Sequence, residues 1–206
     1  MNITDSKLNM GSSNARGFYR SFIESHKYFF PENARILDCG AGNGSFSVPA
    51  VKMAHAGRVF SYDGYFRNFN QILENVRNNS LYNIVPDDHH ILGSTGRYSV
   101  HVKNGIVNTV EEGERILVES RKVDELVLPR LDLIKVTVPG AAVSIINGAT
   151  RRIESDKPSI IAEVISDKEG RELVKLMDGL GMDHDSTVDF SSLEKTGGKL
   201  LIFSQR

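Results

Sequence analysis

The chain has 206 residues with 25 basic and 26 acidic side chains, enough length to bury a core and too even a charge balance to announce a polyanionic partner. Its single cysteine, Cys39, cannot close an intrachain disulfide, and no apolar run approaches membrane-spanning length. These features predict a soluble cytoplasmic protein, one unit over residues 1–206, with neither a nucleic-acid nor a membrane partner.

Residues 1–12 are polar and read as a frayed tail. From Ser13 a helix is expected, because Phe18, Phe22 and Ile23 recur at helical spacing before Tyr28-Phe29-Phe30 and the break at Pro31. This N-terminal helical extension, within residues 1–30, is expected to pack on the sheet edge, the alternative being a lid over the ligand pocket. Arg35 to Cys39 is a short apolar run interrupted by Asp38, and Gly40, Gly42 and Gly44 follow at alternate positions. The pattern reads as strand, glycine turn and helix start, with glycines that accept positive φ and let a ligand approach the backbone.

A dinucleotide turn needs GxGxxG to seat a pyrophosphate on a helix N-terminus. Here the pattern is DxGxGxG, with Ser45 where the third glycine would stand. An acid at the strand tip suits a cationic or hydroxyl-bearing ligand better than a phosphate. S-adenosylmethionine carries a sulfonium, an ammonium and a ribose diol, so the turn residues Asp38, Gly40, Ala41, Gly42, Asn43 and Gly44 are assigned to it. Cys39 lies in the apolar strand and reads as a small core residue.

Phe46 to Ala54 is expected as the first crossover helix, with Pro49 tolerated in its first turns. Arg58 to Tyr62 is a second strand ending at Asp63, about 20 residues beyond the glycine turn, where an acid on the adjacent strand can accept both ribose hydroxyls. Asp63 and Gly64 therefore join the cofactor set. Phe69, Ile72, Leu73 and Val76 form one face of a helix closed by Asn78, Asn79 and Ser80, and His90 to Leu92 is expected as the third strand. Asp87-Asp88-His89-His90 clusters oxygen and imidazole groups, but neighbours on a strand point to opposite faces, so no metal is assigned.

Tyr98 to Val102 and Ile106 to Val110 alternate around Lys103-Asn104-Gly105, a hairpin signal, with a further short strand at Ile116 to Val118. This β insertion, residues 97–120, is a candidate elaboration on the substrate side or at a homo-oligomer contact. Leu131 to Val136 reads as a buried parallel strand despite Lys135, whose charge needs a partner such as Glu163. Ala142, Ile145, Ile146 and Ala149 predict one helix ending near Ile153, and Ser159 to Ile165 another strand. Leu173, Leu176, Met177 and Leu180 line a helix stopped by Gly181. Thr187 to Phe190 and Lys199 to Phe203 close the chain as strands flanking Gly197-Gly198.

With Lys135 and Gly140 reached, the chain resembles the FkbM family of S-adenosylmethionine-dependent methyltransferases. The resemblance rests on Leu37-Asp38-Cys39-Gly40-Ala41-Gly42-Asn43-Gly44-Ser45-Phe46-Ser47, on Asn70, Leu73, Asn75 and Asn79 in the family's asparagine-rich helix pattern NxxxLxxNxxxN, and on Asp132 to Ala141 with Ile146-Asn147-Gly148-Ala149. Pro158 and Ile160-Ile161-Ala162-Glu163 extend it. It implies an α/β fold of the class I methyltransferase type: a three-layer, doubly wound, Rossmann-like sheet of about seven mostly parallel strands with a C-terminal antiparallel strand.

The departures lie at the chemical end. Thr137 stands where the family has an acid after the fourth strand, Pro139 replaces the acid before Gly140, and Asp63-Gly64 replaces Glu-Pro. The resemblance implies methyl transfer to a hydroxyl of a small molecule or glycan, with Lys135, Thr137 and Glu163 as the candidate catalytic positions. The alternative is a catalytically degenerate protein of the same fold that binds S-adenosylmethionine or S-adenosylhomocysteine. A nicotinamide dehydrogenase is disfavoured by the glycine spacing.

Overall fold

The computed structural model describes residues 13–110, 113–189 and 198–205, so the tail expected over 1–12, and Phe190 and Gly197 of the closing pair, lie outside the described residues. Eleven strands are present among them: β1 (Arg35–Cys39), β2 (Arg58–Tyr62), β3 (Ile84–Asp87), β4 (His90–Ile91), β5 (Gly96–Lys103), β6 (Ile106–Asn108), β7 (Glu114–Arg121), β8 (Leu133–Val136), β9 (Ser159–Val164), β10 (Met182–Asp189) and β11 (Lys199–Gln205). Six α-helices connect them: α1 (Ser13–Ser25), α2 (Ser47–Met53), α3 (Phe66–Asn79), α4 (Ala142–Asn147), α5 (Thr150–Asp156) and α6 (Asp167–Gly179).

Seven strands form the central sheet in the order β10-β11-β9-β8-β1-β2-β3. The pairs among β3, β2, β1, β8 and β9 are parallel, and β11 lies antiparallel between β9 and β10. Ile36, Leu133, Ile161 and Ile202 bury one face against α1, α2 and α3, while Leu37, Ile134, Ile160 and Phe203 bury the other against α4, α5 and α6. Alternation along each strand puts apolar side chains on both faces, which is why these strands read as continuous apolar runs. This is the class I methyltransferase arrangement, as expected.

Three local readings are corrected. The third strand of the central sheet is β3, not His90 to Leu92; β3 carries Pro86, whose missing N–H is tolerated because the strand is the sheet edge. His90 and Ile91 instead pair with Ser120 and Arg121 in a second sheet of order β4-β7-β5-β6. Second, the short strand expected at Ile116 to Val118 runs through all of β7, because it pairs along the length of β5 from Gly96↔Ser120 to Val102↔Glu114. Third, the helix expected through Ile153 is broken at Gly148. A Cβ there would lie 2.9 Å from the Gly93 carbonyl oxygen, and the Gly148 carbonyl turns out to accept from Asp124 N at 2.9 Å.

The β5–β6 hairpin turns through Asn104 (φ 53°) and Gly105 (φ 81°), both in the left-handed region that a two-residue hairpin turn of this hand requires. Val100, Val102 and Val118 bury the inner face of this sheet in the same core as Leu37 and Ile134. After β9, Ser166 caps α6 by accepting from Glu169 N, and Glu169 Oε2 accepts from Ile165 N at 3.0 Å. No helix among the described residues is long and apolar enough to cross a membrane.

Candidate functional site

The carboxyl ends of β1, β2 and β8 meet at the glycine turn. Gly40, Gly42 and Gly44 all have positive φ, at 77°, 57° and 85°. Gly40 N and Ala41 N both donate to the Tyr62 carbonyl at 3.0 Å, tying the turn to the end of β2. The glycines differ in what surrounds them. A Cβ on Gly40 would meet the Thr137 carbonyl oxygen at 2.5 Å, whereas nothing lies within 4 Å of one on Gly42. The first glycine is required by the protein's own packing; the second faces open space that a ligand can enter.

Asp38 is fully buried and both its oxygens are engaged. Oδ1 accepts from Lys135 Nζ at 2.8 Å and Oδ2 from Ser47 Oγ at 2.5 Å, and Ser47 Oγ is 2.7 Å from Ser61 Oγ. The partner of Lys135 is thus Asp38, not the expected Glu163. Strand register gives the reason: Lys135 lies opposite Asp38 on β1 and Ile161 on β9, while Glu163 lies further along β9, opposite Leu200. Lys135 Nζ also donates to the Gly40 carbonyl at 3.2 Å and sits 5.6 Å and 5.3 Å from the Tyr19 and Phe46 ring centroids. A cation between a carboxylate, a carbonyl and two aromatic faces offsets much of its burial cost.

Thr137 is turned to the same carbonyl. Its Oγ1 donates to Gly40 O at 3.1 Å and its amide to Cys39 O at 3.0 Å. Pro139 presents its carbonyl to Thr109 N and Oγ1, at 3.1 Å and 3.2 Å. Glu163 is buried on β9. Cys39 is buried, and burial pushes its thiol upward, so it stays protonated and inert.

Asp63 is the second carboxylate. Its Oδ2 accepts from Gly42 N at 2.8 Å and Asn68 Nδ2 at 3.1 Å, and its Oδ1 from Tyr65 N at 2.9 Å. Burial pushes its carboxyl up to about 6, against the lowering effect of those three donors. Gly64 N points to His90 Nδ1 at 3.4 Å, and burial lowers His90 to about 4. The imidazole is therefore neutral and accepts at Nδ1. Asn43 folds back on itself, its Oδ1 accepting from Ser45 N and Oγ, while Asn75 Nδ2 holds its carbonyl at 2.8 Å.

Several partners were not singled out from the sequence: Ser61, Tyr19 and above all Asn68. Asn68 carried a signal, because the spacing of the asparagine-rich helix pattern falls on Asn68, Ile72, Asn75 and Asn79, all four buried, which corrects the placement on Asn70 and Leu73. A polar residue repeating on the apolar face of a helix marks a built contact. The Asp87, Asp88 and His89 ligand atoms lie within 4.8 Å of one another, but Asp87 Oδ1 already accepts from His89 N at 2.9 Å and contacts His89 Nδ1 at 2.8 Å. That is a local turn, with nothing else pointing to a cation.

The residues fit an adenosyl ligand. Open space stands over Gly42, and directly behind it the Gly42 amide is joined to an acid whose elevated proton affinity reflects burial. A groove of about 680 Å³ between α6 and β10–β11, floored by Val164, Val174, Met182 and Phe203, includes none of the turn residues.

Comparison with known proteins agrees with the fold. A family model described as the methyltransferase FkbM domain matches residues 38–191. Among solved structures, the chain is similar to a methyltransferase FkbM from Methylobacillus flagellatus KT, with TM-score 0.63 and 18% identity over 90% of this chain and 47% of that one. The chain thus spans about half the length of that protein. A precorrin-6y C5,15-methyltransferase from Geobacter metallireducens GS-15 matches with TM-score 0.57 and 16% identity over 100% of this chain and 98% of the other. TYW2 from M. jannaschii, solved with AdoMet, matches with TM-score 0.57 and 13% identity over 96% of this chain and 80% of the other. No curated protein matches the chain.

Proposed function

The chain belongs to the FkbM methyltransferase family, a family of S-adenosylmethionine-dependent methyltransferases, and from that premise we propose that it binds S-adenosylmethionine over Gly42 and methylates a hydroxyl of a small molecule or glycan. One observation carries the reading. The Asp63 carboxylate and the Gly42 amide meet at 2.8 Å beneath open space at the carboxyl ends of two parallel strands, where ligands of doubly wound sheets bind.

In this reading Asp63 accepts the ribose hydroxyls, and the backbone of Gly40, Ala41, Gly42, Asn43, Gly44 and Gly64 shapes the floor. Bound S-adenosylmethionine would supply an electrophilic methyl group. Asp38 does not face the ligand; it holds Lys135, and Lys135 with Thr137 holds the Gly40 carbonyl. Those two are positioning residues. Glu163 is kept as the candidate proton acceptor, tested by Glu163→Gln, which should lower transfer while sparing cofactor affinity. An acceptor held in line with the methyl group gains most of its rate from orientation, and a base helps where the acceptor is an alcohol.

A second reading, binding without transfer, is favoured by Thr137, whose hydroxyl is committed to Gly40, and by Pro139 in place of an acid. Calorimetry with S-adenosylmethionine, S-adenosylhomocysteine and NAD, followed by transfer of a labelled methyl group across a panel of hydroxylated small molecules and glycans, separates the readings. Binding of the first two with transfer supports the enzyme; binding with no transfer across the panel supports the second reading. Binding of NAD alone would overturn both.

A further inference from the structure

One side chain joins Asp63 to the β5–β6 hairpin. Asn68, 6% exposed on α3, donates through Nδ2 to Asp63 Oδ2 at 3.1 Å and to the Gly105 carbonyl, at the hairpin turn, at 2.9 Å. An amide NH2 has two hydrogens, so both are spent. The far side of the hairpin is fixed too, since Thr109, just past β6, donates to the Pro139 carbonyl through N and Oγ1. The hairpin is therefore anchored both near the end of β2 and on the loop after β8.

The lone-pair count at Asp63 gives this link a consequence. A carboxylate has about four lone-pair sites, and Gly42 N, Tyr65 N and Asn68 Nδ2 already use three. A ribose diol brings two more O–H donors, so one resident donor has to leave. Gly42 N and Tyr65 N are backbone donors fixed by the glycine turn and by the approach to α3, at 2.8 Å and 2.9 Å. Asn68 makes the longest of the three contacts and is the one side chain among them.

We propose that Asn68 is a positioning residue that couples diol occupancy of Asp63 to the β5–β6 hairpin: the ribose hydroxyls turn its amide away from Asp63, and because both N–H bonds are fixed in the one amide plane, that turn also breaks the bond to the Gly105 carbonyl that ties the hairpin to the end of β2. This rests on the adenosyl-binding reading above. It makes the hairpin respond to the nucleoside, so that the acceptor meets a hairpin already reset by the cofactor.

Hydrogen exchange over residues 103–107 of the full chain tests it, with calorimetry run alongside. S-adenosylhomocysteine should speed exchange there by about fivefold, the population change that one net hydrogen bond controls. 2′,3′-Dideoxyadenosine, which lacks the diol, should leave exchange unchanged at a concentration where adenosine speeds it. In Asn68→Ala the hairpin should exchange fast with or without ligand. Unchanged exchange in the wild type when S-adenosylhomocysteine is bound overturns the coupling while leaving the binding site intact. An equal effect of adenosine and its dideoxy analogue also overturns it, and needs no variant. Absence of any binding removes the adenosyl reading, and the coupling with it.

Discussion

Asp63 and His90, two buried groups on either side of the Gly64 peptide, shift in directions that oppose each other in their effect on stability. Asp63 moves from its ordinary 3.8 up to about 6, so the folded state holds its proton more tightly than the unfolded chain does. Its contribution is most favourable below the ordinary value and is lost as pH rises through about 6. His90 moves from 6.5 down to about 4, so the folded state resists protonation; its contribution is present above 6.5 and is lost as pH falls through about 4. Each shift of about two units corresponds to about 3 kcal/mol, and in the wild type the two slopes largely cancel between those limits. Asp63→Asn should expose the histidine slope, giving stability that rises with pH across this window, and His90→Leu should expose the opposite slope. Urea unfolding at a series of pH values reads both; parallel profiles for the two variants would refute the assignment.

The two strand-tip acids also separate by what their loss does. Asp38→Ala strands the Lys135 ammonium in the core and should cost about 3 to 5 kcal/mol of stability. Asp63→Ala should cost binding instead, weakening adenosylhomocysteine by about 1 to 3 kcal/mol through lost charge-assisted hydrogen bonds. Chemical denaturation and calorimetry on the two proteins distinguish them, and the reverse outcome would exchange their roles. Thr137→Asp, which places the family's acid where this chain has a hydroxyl, removes a donor from the Gly40 carbonyl and sets a carboxylate against it. It should destabilise the turn by about 1 to 3 kcal/mol, and a gain in cofactor affinity would show that Thr137 plays no positioning part.

Among the elements, the break between α4 and α5 shows how one glycine sets the packing of the second sheet on the first. Gly148 approaches Gly93 on the loop after β4, and its carbonyl leaves the helix to hold Asp124 N at 2.9 Å. Gly148→Ala should therefore cost about 1 to 3 kcal/mol from overpacking, although alanine is the better helix former; a stabilised protein in thermal unfolding would contradict the close approach. The β5–β6 hairpin was legible from Asn104-Gly105 between alternating residues, because two positive φ values in succession select that dipeptide. Its docking on Asn68 was not legible, because nothing in the hairpin's own residues says which surface its turn will meet. The strand at Ile84–Asp87 was hidden for a related reason: Pro86 argues against a central strand, and only the sheet order shows that this one is the edge.

For the molecule as a whole, an adenosyl ligand that binds only the folded chain should raise its stability by about 3 kcal/mol at a hundred times Kd, with a shift in midpoint that grows with ligand concentration. A midpoint indifferent to S-adenosylhomocysteine would count against the site. The sequence by itself determined the doubly wound sheet, the glycine turn and the family, since each is written in local spacing: apolar runs of strand length, glycines where φ must be positive, and an acid at each of two strand ends. What it left open was which acid is committed to an ion pair in the core, for Asp38 and Asp63 stand at equivalent places in the pattern. Tertiary structure decided that by bringing Lys135 opposite Asp38 from 97 residues away, while Asp63 accepts from the Gly42 amide. Strand register pairs one buried carboxylate with Lys135 and leaves the other joined to the Gly42 amide, and register between distant strands is a property of the packed sheet rather than of either segment.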